Sequence, residues 1–185
     1  MSVVVALLRA VNVGGRGAVP MAELRAMLAA LGFDDARTLL VHGNLVFRAP
    51  GMTSDAVEQL IRAAAEERFG LRTDVFVRTA AEWDKIIAKN PFPEMAANDP
   101  AHLVVMTLAK PPNAAAMRTL RERIVGRETA EAVGRALYLC YPDNIGDSKL
   151  TIAVIEKALG TTGTARNWNT TLKIQKLLQS FVKAA

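Results

Sequence analysis

The chain has 185 residues, 51% of them hydrophobic and only 5% aromatic, enough apolar material for a buried core built chiefly of aliphatic side chains and alanine. The 23 Lys and Arg exceed the 18 Asp and Glu by five, an ordinary solubility charge that admits a phosphate-bearing partner without requiring one. The single cysteine, Cys140, excludes an intramolecular disulfide, and Arg9 interrupts the short apolar start well before a membrane-spanning length, so we expect neither signal peptide nor membrane helix, and a cytoplasmic location.

Val3 to Leu8 is a continuous apolar run, the pattern of a strand buried on both faces. A glycine-rich loop follows from Asn12 to Val19. Pro20 then suits the first turn of a helix, whose apolar stripe is Met21, Leu24, Met27, Leu28 and Leu31, with Gly32 to close it. Two short strands, Thr38 to Val41 and Leu45 to Phe47, are expected around a tight turn at His42-Gly43-Asn44. A second helix is read over Thr53 to Phe69, stopped by Gly70, and a fourth strand over Asp74 to Val77. The order β-α-β-β-α-β is that of the split, ferredoxin-like unit with an antiparallel sheet.

Thr79-Ala80-Ala81-Glu82 is a capping box that starts a connecting helix, which Asn90-Pro91 ends because the residue before proline is pushed out of helical geometry. Residues 80–100 are the expected junction between a first half, 1–79, and a second, 101–185, with Pro91 to Pro100 as linker. The second half repeats the order: a strand over His102 to Leu108, a helix over Asn113 to Ile124, strands over Thr129 to Val133 and Ala136 to Tyr141, a helix over Ser148 to Leu159, a short strand at Thr164 to Arg166, and a terminal helix over Asn167 to Val182. The recurrence is visible in element order only, with no repeat at the level of residues. Cys140 lies in the apolar run LYLCY and reads as a buried, inert thiol.

The segments LLRAVNVGG, VPMAELRAMLAALGF, GNLVF, KNPFP, SKL and TARNWNT fall in order along the chain, and together they resemble the bacterial family described as domain of unknown function 1697. The resemblance implies two linked ferredoxin-like α/β halves and carries no activity with it. Ala10 and Val11 stand where the family reads glycine and isoleucine, and Val41 and His42 where it reads glutamine and serine.

Chemistry-bearing residues gather in a few places. Gly14 and Gly15, between Asn12 and a helix start, let backbone N–H groups approach an anion. Their spacing matches neither the P-loop nor the dinucleotide fingerprint, so no cofactor is implied, and a plain turn is the competing reading. Arg9 and Asn12 flank that loop, and Asn44 is a third polar candidate for the same pocket. In TARNWNT, Arg166 offers a planar fork of donors, and Asn167 and Asn169 offer amides. Asn167 is equally a helix cap, and Trp168 reads as a core anchor rather than a stacking platform. Ser148 and Lys149 begin a helix, where a serine is ordinarily a cap. They do not form a nucleophile and base, because adjacent helical residues point about 100° apart.

His42 and His102 are the only histidines, and nothing has metal-ligand spacing. The leading expectation is therefore binding of a small anion, a nucleotide or phosphorylated metabolite, with donors from both halves sharing a cleft. A single-stranded nucleic-acid module is weakened by the scarcity of aromatics, and an enzyme by the lack of an evident general base. Oligomeric state is not legible.

Overall fold

The computed structural model describes residues 2–12, 19–33 and 35–183. It contains two four-stranded antiparallel sheets with interleaved helices and a C-terminal helix, two α+β halves of ferredoxin-like order. The chain groups into two compact units, residues 1–85 with 173–185, and residues 86–172. One division, between residues 85 and 86, falls within 80–100, and the other, between 172 and 173, falls within the terminal helix.

In the first unit the elements are β1 (Val3–Leu8), α1 (Met21–Ala30), β2 (Arg37–Leu39), β3 (Asn44–Arg48), α2 (Ser54–Phe69), β4 (Val75–Thr79) and the start of α3 (Ala80–Ala88). The sheet order is β2-β3-β1-β4. Val4, Ala6 and Leu8 of β1 alternate into one core with Leu24, Met27 and Leu28 of α1 and Val57, Ile61 and Ala65 of α2. Val3, Val5 and Leu7 are buried as well, so both faces of β1 are covered, as its unbroken apolar run requires. Relative to the sequence reading, β2 is one residue shorter and begins one residue earlier, and β3 is one residue longer at each end. Asn44 is the first residue of β3, fully buried, and Leu40 to Gly43 make the turn.

The second unit holds the end of α3, then α4 (Pro93–Asn98), β5 (Leu103–Leu108), α5 (Ala114–Glu122), β6 (Thr129–Val133), β7 (Ala136–Cys140), α6 (Ile152–Leu159), β8 (Gly163–Asn167) and the start of α7 (Trp168–Lys183). Its order, β6-β7-β5-β8, is the same as the first. The expected linker thus contains a helix of its own, α4, with Pro93 at its first position, where a missing N–H costs nothing.

Helix ends follow the local chemistry. The Thr79 hydroxyl accepts from the Glu82 N–H at 3.2 Å while the Glu82 carboxylate accepts from the Thr79 N–H at 2.8 Å, the reciprocal pair expected of a capping box. Thr53 caps α2 and Gly70 ends it in the left-handed region; Thr151 and Gly160 do the same for α6. Ser148 is therefore not the cap of α6. The turn from Ser148 to Leu150 is non-helical, and the helix begins only after Thr151.

The two units also share a device at one sheet edge. An edge strand presents unpaired N–H and C=O groups that invite another strand. In β4 the Val77 N–H donates to Glu58 of α2 at 2.7 Å, and the Val77 carbonyl accepts from Arg78 at 2.7 Å. In β8 the Gly163 N–H donates to Glu156 of α6 at 3.0 Å, and the Ala165 carbonyl accepts from Arg166 at 2.8 Å. Glu58 and Glu156 each sit five residues beyond the threonine cap of their helix. Arg78 lies opposite Val5 and Arg166 opposite Val105, the same register in each sheet.

Candidate functional site

At the top of β1 the ladder with β4 runs one residue beyond the strands. The Arg9 N–H donates to the Asp74 carbonyl at 2.9 Å, and the Thr73 hydroxyl donates to the Arg9 carbonyl at 2.6 Å. This fixes Arg9 and Asp74 side by side, a cross-strand charge pair with Nη1 and Oδ2 3.5 Å apart. The other carboxylate oxygen of Asp74 lies 3.6 Å from Nη2 of Arg62.

Arg62 is placed by the helical period. Val57, Ile61 and Ala65 form the buried stripe of α2, and the stripe one residue on, Glu58, Arg62 and Glu66, runs along the β4 edge. Glu58 caps Val77, Arg62 reaches Asp74, and Glu66 accepts from Nε of Arg72 at 2.7 Å. Arg9, Ala10, Arg62, Glu66, Arg72, Thr73 and Asp74 line a concavity of about 520 Å³ within this unit. Three guanidiniums face two carboxylates there, leaving one positive charge in excess. Exposure rises outward, from 34% of the Arg9 side chain through 50% for Arg62 to 86% for Arg72, so the outer arginines are free to reorient toward a ligand.

Backbone strain sits beside this concavity. Ala10 has φ +52° and Asn12 φ +58°, left-handed values that cost a residue with a Cβ about 1–2 kcal/mol. Asn12 is held there by its amide, which donates to the carbonyls of Val19 and Val41 at 3.1 and 2.7 Å and accepts from the Val19 N–H at 2.8 Å. It ties the ends of the glycine loop to the β2–β3 turn. Gly14 and Gly15 lie outside the described residues. The Asn44 amide donates to the Leu39 carbonyl across its own hairpin at 2.9 Å, a structural bond. Among the described residues, Arg9 is the one expected first-half donor that lines the concavity; Arg62 and Arg72 join it and were not singled out from sequence.

In the second unit, Ser148 and Lys149 line a separate concavity of about 220 Å³ with Glu128, Tyr141, Asp143, Asn144 and Asp147. The Ser148 hydroxyl donates to Glu128 and accepts from the Leu150 N–H at 3.0 Å. That bond, with backbone N–H groups at Glu128 and Gly126, holds the Glu128 carboxyl below its ordinary range. Three carboxylates against one ammonium make this lining unfavourable for an anion. Burial and Glu128 push the Tyr141 phenol up to about 12, and its hydroxyl donates to the Leu150 carbonyl at 3.1 Å.

Arg166 lies within β8, donating to the Thr164 hydroxyl at 2.9 Å and to the Ala165 carbonyl; burial draws its pKa down to about 10. Asn167 is the cap of α7, accepting from the Thr170 N–H at 2.9 Å. Asn169 is exposed on that helix, and Trp168 is buried. Cys140 is a buried free thiol, pushed up by burial. Among the described residues no group of three His, Cys, Asp or Glu side chains is placed to hold a metal ion, and no helix is long and apolar enough to cross a membrane.

The family model described as protein of unknown function, DUF1697, matches residues 1–138, three quarters of the chain and the whole arginine-lined concavity. The chain belongs to the DUF1697 family. The structure of this DUF1697 chain is similar to that of the conserved bacterial protein SP0830 from Streptococcus pneumoniae, with TM-score 0.75 and 18% identity, over 96% of this chain and 98% of that one. At that identity the likeness shows the fold alone. No curated protein matches the chain.

Proposed function

We propose that the first unit binds a small anionic ligand, a nucleotide or phosphorylated metabolite, over Arg9, Arg62 and Arg72. The observation that carries this reading is the convergence of three guanidiniums from three separate elements on one concavity. Guanidinium forks match phosphate oxygens bidentately, and Arg62 and Arg72 are exposed enough to turn toward a ligand without unfolding anything. The acidic lining around Ser148 and Lys149 does not contribute.

Calorimetric titration of the full chain at low salt with inorganic phosphate, a nucleoside monophosphate and a sugar phosphate tests it. Binding that weakens at least about tenfold in Arg62→Ala/Arg72→Ala is the expected result, in line with the loss of two charge-assisted contacts. Absence of binding by every phosphate ligand, or equal binding by the double variant, refutes it.

A further inference from the structure

We propose that the ligand of this site is a phosphorylated polyol or sugar, whose hydroxyl groups are received by the Asp74 and Glu66 carboxylates; the inference rests on the anion-binding reading above. Both carboxylates are engaged by the arginines that a phosphate would take. Oδ2 of Asp74 stands 3.5 Å from Arg9 and Oδ1 stands 3.6 Å from Arg62, while Oε1 of Glu66 accepts from Nε of Arg72 at 2.7 Å. The backbone pairing of Arg9 with Asp74 keeps Asp74 in place when its partners turn, and Glu66 stays on α2, one turn from Arg62.

A phosphate that draws Arg62 and Arg72 to itself leaves both carboxylates short of donors inside the same concavity. That cost is the same for every phosphomonoester, whatever it carries beyond the phosphate. Ligands differ in whether the rest of the molecule brings donors to those oxygens. A carboxylate only accepts, and a hydroxyl group gives it a charge-assisted hydrogen bond, stronger than a neutral one. An alkyl chain gives it nothing. The lining offers little else to hold. Among the described residues around the concavity there is no aromatic ring, Ala10 is the one apolar side chain, and the Thr73 hydroxyl already gives its proton to the Arg9 carbonyl. A base would find only guanidinium planes to stack on, and those are the groups the phosphate takes. At about 520 Å³ the concavity has the size of a small-molecule pocket, with room for several hydroxylated carbons beside the phosphate.

The test uses a matched pair, glycerol phosphate and propyl phosphate, dianionic monoesters at about pH 8 with the same carbon chain, titrated calorimetrically into the full chain at low salt. The wild-type chain is expected to bind glycerol phosphate at least about fivefold more tightly, the scale of one net hydrogen bond. In Glu66→Ala/Asp74→Ala, propyl phosphate is expected to bind at least as tightly as in wild type, because negative charge has left the site, and the preference for glycerol phosphate should fall below about twofold. A wild-type ratio near one overturns the proposal without reference to any variant, and so does a ratio that survives in the folded double variant. In either case propyl phosphate binding leaves the anion site itself standing. Adenosine monophosphate binding about tenfold or more tightly than ribose phosphate, which lacks only the base, also overturns it. If the wild-type chain binds none of these phosphates, the site and its hydroxyl recognition fall together.

Discussion

Replacing Glu58 by alanine removes the side chain that closes the β4 edge, and the cost can be worked out from the contacts. The Glu58 carboxylate accepts the Val77 N–H at 2.7 Å, and a hydrogen bond to a charged acceptor contributes about 1.5–3 kcal/mol. It also lies 3.9 Å from Arg78, whose side chain is only 3% exposed, so charge near a buried guanidinium is lost as well. Together we expect about 2–3 kcal/mol of destabilisation, a fall in Tm of roughly 4–12 °C for a chain of this size. Glu58→Gln keeps an acceptor for Val77 and loses only the charge, so its cost should be about 1 kcal/mol. Thermal unfolding followed by circular dichroism measures both. Opening the edge should also favour strand addition between copies, read by sedimentation velocity at rising concentration, and Glu58→Ala/Glu156→Ala should associate more than either single variant. A Glu58→Ala variant within about 0.5 kcal/mol of wild type, or a glutamine variant as costly as the alanine one, refutes the reasoning.

Three further outcomes follow from backbone and charge. Ala10→Gly should stabilise the chain by up to about 1 kcal/mol in thermal unfolding, because φ +52° strains alanine and not glycine, the reverse of the effect of glycine elsewhere. Gly43→Ala should destabilise by about 2 kcal/mol or more, since φ is +71° and the added Cβ would stand 2.8 Å from the Leu8 Cβ, an atom fixed to the buried strand. Glu128 is a pH probe. Its folded pKa is depressed by Ser148, so its contribution is present above the unfolded value and drains away as pH falls through the folded one. Ser148→Ala should flatten the acid side of a stability-versus-pH curve and leave the neutral side nearly parallel to wild type.

Elements whose geometry is set by near neighbours were legible from residues alone. The capping box at Thr79 and Glu82, the glycine stop after α2, and the strand runs of β1 and β5 all act within a few residues of themselves. The duplication was visible only as element order, and the structure explains why. Thr53, Glu58, Gly70 and Arg78 correspond in role to Thr151, Glu156, Gly160 and Arg166, but α2 has 16 residues and α6 has 8, so no constant period aligns them. Ser148 misled because a serine before an apolar run is an ordinary cap signal, and the non-helical turn to Leu150 moved the cap to Thr151.

Composition, apolar periodicity and cap chemistry thus determined the two α+β halves and the order of their strands, because each of those signals is read over one turn or one strand. Which polar residues share a site was decided by tertiary structure. Arg9, Arg62 and Arg72 are dozens of residues apart or lie on different elements, and they meet only because β1 pairs with β4 while α2 packs its Val57-Ile61-Ala65 stripe on the sheet, turning the adjacent Glu58-Arg62-Glu66 stripe toward the β4 edge. Charge on an isolated helix face carries no address; the sheet register supplies it.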